Sequence, residues 1–164
     1  MTPMPNLPSR STFPVLRDVP TRWHDNDHYG HVNNVVYYAY FDTAVNGWLM
    51  DATDADIRDL PALGLVVETS CRFHRSISFP DRLEVGIGVA KLGTSSVVYR
   101  LAIFRKGDDD AVALGRFVHV YVDRATRRTS AIPPVLRDVL APVAEKSAPL
   151  FQAAGLLDAE EGHR

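Results

Sequence analysis

The stretch that decides the fold runs from Trp23 to Met50, WHDNDHYGHVNN followed directly by VVYYAYFDTAVNGWLM. Its first twelve residues contain two aspartates, three histidines, three asparagines and one glycine. A turn between two elements needs only one or two such residues. The polar segment therefore predicts a site, a helix cap or both, placed immediately before a largely apolar segment.

The apolar segment predicts a long helix over residues 33–51. Apolar side chains recur at four-residue spacing and form a face wide enough to be covered on several sides: Val36, Tyr40, Ala44 and Trp48, with Tyr37, Phe41 and Val45 beside them. Either Asn33 or Asn34 is a suitable N-cap, because an asparagine side chain accepts hydrogen bonds from the free N–H groups of the first turn.

Strand patterns precede and follow this helix. They predict strands at 14–24, 64–79, 83–91, 95–106 and 111–123. One strand, LEVGIGVAK, places Gly86, Gly88 and Ala90 on one face, which predicts close approach by another element, with the long helix as the candidate. A short helix is predicted over VLRDVLAPV, after Pro133 and Pro134. The order indicates an α+β fold with one helix on an antiparallel sheet, and its long edge strands predict a dimer.

Length and composition predict one domain at 14–145, with a loose arm at 1–13 and a tail at 146–164. The net charge is -2 and no long run of Lys or Arg occurs, so neither nucleic acid nor a membrane surface is an expected partner. No segment has the pattern of a signal peptide or a membrane span, which predicts a cytoplasmic protein. Cys71 is the only cysteine, which excludes an intramolecular disulfide and a cysteine-based metal cage.

The polar segment has some features of a calcium loop. Asp25, Asp27 and Gly30 occupy positions one, three and six of an EF-hand. Position five is Tyr29, and position twelve is Val36 where a bidentate glutamate is required. The segment is therefore not predicted to bind calcium.

A zinc site is the second interpretation, because His24, His28 and His31 supply enough nitrogen ligands. No HExxH spacing is present, and histidines at a strand-to-helix turn need not share one face. Histidine clusters near turns are more often hydrogen-bonded structure. No metal is predicted.

The third interpretation is a carboxylate beside a helix N-terminus, where free N–H groups and the helix dipole favour negative charge. In a structural role, Asp25 or Asp27 would close a turn while the asparagines cap the helix. In a catalytic role, the backbone N–H groups would polarise a thioester carbonyl, and an aspartate would attack its carbon or activate water. The residues alone leave both roles open.

The segment DNDHYGHVNNVVYYAYFDTA resembles the signature of hotdog-fold acyl-CoA thioesterases of the 4-hydroxybenzoyl-CoA thioesterase type. The shared pattern is an aspartate, three residues, HVNN and a tyrosine-rich helix. Later segments, SFPDRL at 78–83 and VDR at 122–124, extend the resemblance over residues 14–142. It implies a long helix wrapped by a curved antiparallel sheet, a homodimer or homotetramer, and hydrolysis of acyl-CoA to free acid and coenzyme A without a metal or cofactor.

The resemblance also implies roles for individual residues. The catalytic aspartate corresponds to Asp27, and the N–H that polarises the thioester lies near Asn34. His31 and Asn33 match motif positions and would orient the loop or the acyl group.

Substrate contacts are expected from Tyr37, as part of an apolar acyl pocket, and from Arg72 and Arg75. Some relatives carry an Arg/Lys cluster suited to coenzyme A phosphates, where this chain has KLGTSS at 91–96. Arg72, Arg75 and Arg82 could replace that cluster. Acyl carrier protein is therefore an alternative carrier of the acyl group.

Two rival functions fit the same fold. A non-catalytic hotdog module would bind acyl thioesters as a sensor and would need no reactive carboxylate. A hotdog dehydratase or hydratase would act on the acyl chain with a histidine and an acid, and His28 or His31 with Asp27 could supply that pair.

Overall fold

The computed structural model describes residues 7–157. Its two long helices and five strands are β1 (Val15–Pro20), α1 (Asn34–Thr53), β2 (Ala62–Phe73), β3 (Arg82–Leu92), β4 (Ser96–Arg105), β5 (Ala113–Asp123) and α2 (Pro134–Ala154). Short 3-10 helices occur at Arg10–Thr12, Trp23–Asp25 and Ile57–Asp59. None of the helices in 7–157 is long and apolar enough to cross a bilayer.

The strands form one antiparallel sheet in the order β1-β3-β4-β5-β2. The α+β class and the hotdog arrangement of a long helix on this sheet are confirmed. The first predicted strand is shorter than expected, since β1 ends at Pro20 and a 3-10 helix follows. The second ends at Phe73, so residues 74–79 form a loop.

Helix α1 packs its apolar face onto the sheet. Its buried residues are Tyr37, Tyr40, Phe41, Ala44, Val45, Trp48 and Leu49. Asn33 is the N-cap, and its side chain accepts a hydrogen bond from the N–H of Val35. The cap fixes where the helix begins, and the apolar face fixes its rotation against the sheet.

The two faces of β3 contact different elements. Leu83, Val85, Ile87 and Val89 belong to the main core that contains α1. The prediction that α1 approaches the glycine face was wrong. A Cβ at Gly86 would come within 2.7 Å of the Phe13 ring, and one at Gly88 would overlap the Phe151 ring from α2.

Helix α2 is much longer than the predicted helix and continues through Pro142 and Pro149 to Ala154. Ser147 and Phe151 are fully buried, so this part of the chain packs on the domain and is not the loose tail that we predicted. The Ser147 hydroxyl accepts a hydrogen bond from the N–H of Val89 at 3.0 Å. The remainder of the predicted tail, 158–164, lies outside the described residues.

The predicted N-terminal arm also differs from expectation in its described part. Phe13 is 5% exposed, and Arg10 forms an ion pair with the buried Glu84 at 2.8 Å. These contacts hold residues 10–13 against the sheet. Residues 1–6 of the arm lie outside the described residues.

Candidate active site

A tight loop connects the 3-10 helix Trp23–Asp25 to α1. Asn26 and Val32 form an antiparallel bridge, and the N–H of Asp27 donates to the carbonyl of His31 at 2.9 Å. Gly30 has φ +80°, a conformation that favours glycine, and its N–H donates to the Asp27 carbonyl. The loop therefore has a fixed backbone that brings Asp27 back toward the start of α1.

Asp25 lies inside a closed hydrogen-bond network. Its carboxylate is 0% exposed and accepts hydrogen bonds from the Tyr40 hydroxyl at 2.6 Å, the Arg22 N–H at 2.8 Å and the Arg22 Nε at 3.1 Å. Burial alone would raise the pKa of Asp25, but these hydrogen bonds lower the pKa below its ordinary value. Asp25 is thus an ionised carboxylate that fixes the loop to α1.

Asp27 has a more open environment. Its Oδ1 accepts one hydrogen bond, from the N–H of Tyr29 at 2.8 Å, and Oδ2 accepts none from residues 7–157. Beside it, the Asn33 side chain occupies the N–H of Val35. The N–H of Asn34 has no acceptor within the described chain, as expected for a first-turn amide of a helix.

These two groups share one open pocket of about 350 Å³. Its lining consists of Asp27, Val32, Asn34, Tyr37, Phe73, His74, Arg75 and Ser76. Three parts of the chain build it: the loop, the first turn of α1, and the end of β2 with the residues that follow. A carboxylate, a helix-terminal amide and an apolar ring therefore surround the same space.

The predicted site residues divide between this pocket and its surroundings. Asp27, Asn34, Tyr37 and Arg75 line the pocket. Asn33 caps the helix beside it. His31 is exposed, and its backbone carbonyl accepts a hydrogen bond within the loop. Arg72 is exposed on β2. Neither residue lines the pocket.

Tyr37 and Arg75 have partners of their own. Tyr37 is 3% exposed, and its ring lies 4.8 Å from the Phe73 ring in an edge arrangement, centre to centre. Burial raises the pKa of the Tyr37 hydroxyl, which keeps it neutral. Arg75 contacts the exposed Asp110 at 3.3 Å. A surface pair of this kind is weak, so the Arg75 guanidinium can turn toward an anionic ligand.

The sequence analysis did not find His74 or Ser76. The Nε2 atom of His74 is enclosed and has no hydrogen-bond partner within 7–157. Burial, with the nearby charge of Arg72, lowers the pKa of His74 and favours a neutral imidazole at the pocket wall. His74 lies forty residues after Asn34, the last residue of the loop motif, so no local pattern connects the two.

His24, His28 and His31 are all exposed. Residues 7–157 contain no group of three His, Cys, Asp or Glu side chains placed to hold a metal ion.

A family comparison matches residues 21–140, which include the loop, α1 and the whole sheet apart from β1, to the thioesterase-like superfamily. The chain belongs to this superfamily. The match covers the pocket and every residue that lines it. No curated protein sequence matches the chain.

Solved structures with the same fold come from three bacteria. The PA5185 protein from Pseudomonas aeruginosa PAO1 is 51% identical, with a TM-score of 0.81 over 84% of this chain and 96% of that one. A thioesterase from Thermus thermophilus, in complex with coenzyme A and zinc, is 26% identical, with a TM-score of 0.64 over 77% and 96%. A 1,4-dihydroxy-2-naphthoyl-CoA thioesterase from Synechocystis shares the fold at 15% identity, with a TM-score of 0.71 over 77% and 94%.

Proposed function

We propose that this superfamily member hydrolyses acyl-CoA to free acid and coenzyme A at the pocket that Asp27 and Asn34 line. The observation that supports this proposal is the pairing of an accessible carboxylate with a free helix-terminal amide around one space. The structure of the T. thermophilus thioesterase contains coenzyme A, which supports coenzyme A as the carrier of the acyl group in the proposed substrate.

The chemistry requires a nucleophile and a site for negative charge. The thioester oxygen would accept a hydrogen bond from the Asn34 N–H, which becomes stronger as the carbonyl carbon turns tetrahedral. Asp27 would remove a proton from water, or attack the carbon directly to give an anhydride that water then cleaves. In both routes the C–S bond breaks, the thiolate takes up a proton, and one water is consumed.

A matched pair of variants tests the assignment of Asp27. Asp27→Asn and Asp25→Asn make the same change two positions apart in the same loop. With short, long and aromatic acyl-CoAs, free thiol should appear with the parent and with Asp25→Asn, assayed where that variant is folded, and should disappear with Asp27→Asn. Equal activity of the Asp27 variant and the parent would refute its role.

An isotope experiment distinguishes the two routes for Asp27. In a single turnover in ¹⁸O-labelled water, direct attack followed by water cleavage at the Asp27 carboxyl carbon transfers an unlabelled carboxylate oxygen to the product acid and leaves the label on Asp27. Activation of water gives labelled acid from the first turnover. The measurement is the mass of the acid released when enzyme exceeds substrate.

Arg75 is the proposed contact for the phosphates of coenzyme A. Arg75→Ala should raise KM for an acyl-CoA severalfold and leave KM for the matching acyl-pantetheine, which lacks the nucleotide, within about twofold. An equal effect on both thioesters would refute the proposed contact between Arg75 and the nucleotide phosphates.

The same substrates separate the rival functions. Tight binding of acyl-CoA with no thiol release would favour a non-catalytic binding module. Hydration of an enoyl-CoA with no thiol release would favour a dehydratase or hydratase. A hydrolase releases thiol from saturated acyl-CoAs without a hydroxyl group, which a dehydratase cannot use as substrates.

We also propose a homodimer joined along β2. This twelve-residue strand ends the sheet and, among residues 7–157, pairs only with β5. It carries exposed apolar side chains at Leu65, Val66, Val67 and Phe73. The opposite edge is the six-residue β1, which ends in a proline. Long unprotected edge strands tend to pair with another strand, and a second copy of β2 gives a symmetric antiparallel pair.

Sedimentation of the full chain tests this assembly. We expect at least a dimer, with a homotetramer as the alternative that the resemblance implies. Val67→Lys should shift the population toward monomer, because two like charges would meet near the pair axis. The predicted cytoplasmic location stays a prediction.

A further inference from the structure

The imidazole of His74 is a polar group at the Asp27 pocket that the proposed hydrolysis does not use. We give this name to the pocket of about 350 Å³ that Asp27 and Asn34 line. His74 follows the last residue of β2, and its backbone N–H donates to the Val112 carbonyl at 2.8 Å. The backbone of His74 is therefore held at the point where the strand ends.

The chain after His74 is joined to the loop that carries Asp27. The N–H of Val32, a loop residue, donates to the Ile77 carbonyl at 2.8 Å. His74 therefore lies between two fixed points, its own hydrogen bond to Val112 and the hydrogen bond between Val32 and Ile77. A side chain held in this way keeps its position better than one on a free loop, which is what a group that contacts a reacting atom requires.

The part of the wall that contains His74 contacts the face of α1 on which Asn34 lies. Asn34 and Tyr37 are three residues apart, so they are neighbours on one face of the helix. The Tyr37 ring lies 4.8 Å from the Phe73 ring, centre to centre, and Phe73 directly precedes His74. The pocket volume is at the lower end of the range for ligand sites, about 300–1,000 Å³. In so small a space, a group held at the Asn34 N–H lies close to His74.

The two ring nitrogens of His74 have different surroundings. Neither has a hydrogen-bond partner within residues 7–157, but only Nε2 is enclosed. An enclosed N–H without an acceptor is rare in proteins, and an enclosed acceptor without a donor is tolerated more often. We therefore expect the proton on Nδ1, which leaves a hydrogen-bond donor on the accessible side of the ring.

The imidazole of His74 is neutral at pH 7. Burial lowers the pKa of His74 below its ordinary value of 6.5, and the charge of Arg72 acts in the same direction. A low pKa makes the ring a weak base, and the pocket already contains the Asp27 carboxylate for that step. A neutral imidazole also keeps its proton, so it is not the acid that protonates the leaving thiolate. The role that fits is an uncharged hydrogen-bond donor, as in enzymes where a neutral histidine polarises a carbonyl.

We propose that His74 is a second donor for the thioester oxygen, with its Nδ1–H beside the Asn34 N–H. This inference rests on the proposed hydrolysis at Asp27 and adds a catalytic residue to it. Negative charge develops on the carbonyl oxygen as the carbon becomes tetrahedral, and the helix-terminal amide supplies one hydrogen bond to it. An uncharged second donor stabilises this oxygen without attracting the Asp27 carboxylate, which an imidazolium beside it would do.

Two variants of similar shape separate the donor from the packing of the ring. His74→Asn keeps an N–H group close to the position of Nδ1, and His74→Leu has the same branching without a donor. His74→Leu should lower kcat for acyl-CoA hydrolysis by about 10²–10³-fold, the loss typical for removal of one oxyanion donor, and should change KM by less than about twofold. His74→Asn should recover at least about tenfold of that loss.

A third variant tests which ring nitrogen is used. The amide nitrogen of His74→Gln lies near the position of Nε2, on the enclosed side of the ring. This variant should therefore recover less of the rate than His74→Asn. Equal or better recovery with glutamine would overturn the assignment of the donor to Nδ1.

The polarisation of the carbonyl can be measured directly on a bound ketone. The probe is the analogue of the fastest acyl-CoA substrate in which CH₂ replaces the thioester sulfur and the carbonyl carbon is ¹³C. Its carbonyl stretching frequency, read by isotope-edited infrared difference spectroscopy, should decrease on binding to the parent. Two donors lower the frequency more than one, so the decrease should be about half as large in His74→Leu and near the parent value in His74→Asn.

His24→Leu is the matched control. His24 is exposed on the 3-10 helix Trp23–Asp25 and does not line the pocket. Its rate of hydrolysis and its ketone frequency should equal those of the parent. Circular dichroism and urea unfolding establish that each His74 variant is folded in the assay. Should one of the three not fold, the comparison of the other two still tests the donor.

The outcomes separate this inference from the proposed function. No thiol release from any acyl-CoA would end the hydrolase proposal and this inference with it. Hydrolysis that is lost in Asp27→Asn but unchanged in His74→Leu would overturn the role of His74 and leave hydrolysis at Asp27 intact. A rate loss in His74→Leu that His74→Asn does not recover, with an unchanged ketone frequency, would assign His74 to packing of the pocket wall and would also overturn the donor.

Discussion

Asp25 and Asp27 lie two residues apart in one loop, and their surroundings are opposite. Asp25 is fully buried, and its carboxylate accepts hydrogen bonds from Tyr40 and from the backbone and side chain of Arg22. Asp27 accepts one backbone hydrogen bond and faces a pocket that also contains the start of α1. One carboxylate has its partners inside the protein, and the other keeps an oxygen available for a ligand.

The difference shows that one residue of a short loop can stabilise the fold while another remains available for a ligand. The Asp25 network joins the loop to the second turn of α1, which fixes the loop without using its open face. Asp27 can then remain only partly hydrogen-bonded, because the loop does not depend on its side chain. The expected consequences of changing the two residues are therefore opposite in kind.

The largest expected effect is on the rate when Asp27 is replaced. Asp27→Asn should lower kcat/KM by about 10²–10⁴-fold, the range typical for loss of a general base, because the amide cannot accept the proton. Its free energy of unfolding should stay within about 1 kcal/mol of the parent, since the Asn oxygen can still accept from the Tyr29 N–H. Thiol release and urea unfolding measure the two effects. If the loss of unfolding free energy were as large as the rate loss expressed as a free energy, Asp27 would not differ from Asp25 in the way that we expect.

The second effect is on stability when Asp25 is replaced. Asp25→Asn should lower the free energy of unfolding by about 2–3 kcal/mol, because the amide nitrogen would face donors on Tyr40 or Arg22 inside a closed network. Urea unfolding followed by circular dichroism measures the loss. Residual activity assayed where the variant is folded should remain near the parent value. Unchanged stability would mean that the network does not hold the loop.

A third effect appears on acidification. The folded-state pKa of Asp25 is lower than its ordinary value of 3.8, so the unfolded chain binds the proton more readily. The stabilisation is complete above the ordinary pKa and is lost as the pH falls through the folded-state value. The stability difference between the parent and Asp25→Asn should therefore narrow below about pH 4. Unfolding free energies measured at a series of pH values test this, and a widening difference would contradict it.

The fold could be predicted where local patterns and tertiary packing agree. The four-residue spacing of α1, with Asn33 or Asn34 as the expected cap, predicted the helix closely. The C-terminal helix was predicted too short, over VLRDVLAPV, because the stretch 146–164 is only weakly amphipathic. Pro142 and Pro149 each remove one N–H donor from the helix. Here burial of Ser147 and Phe151 against β3 outweighs the loss of two N–H donors, and no local pattern contains that packing.

The lining of the candidate site was predicted in its continuous part and, outside that part, only at Arg75. The loop motif indicated Asp27 and Asn34, because both lie within eight residues of each other in the sequence. His74 and Ser76 reach the pocket through the pairing of β2 with β5, and Arg72 does not reach it although it precedes His74 by two residues. Side chains alternate along a strand, and the change from strand to loop after Phe73 could not be read from the sequence.

The smallest expected effect concerns Asn33, which links the two environments. Its backbone N–H donates to the Asp25 carbonyl, and its side chain caps the first turn beside Asn34. Asn33→Ala should lower the free energy of unfolding by about 1 kcal/mol, and Asn33→Ser, which keeps a capping oxygen, by much less. Activity should fall only severalfold in the alanine variant, since the Asn34 amide remains in place. A loss of activity approaching that of Asp27→Asn would mean that Asn33 contacts the reacting group itself. Asn33 would then be a catalytic residue and not only a helix cap.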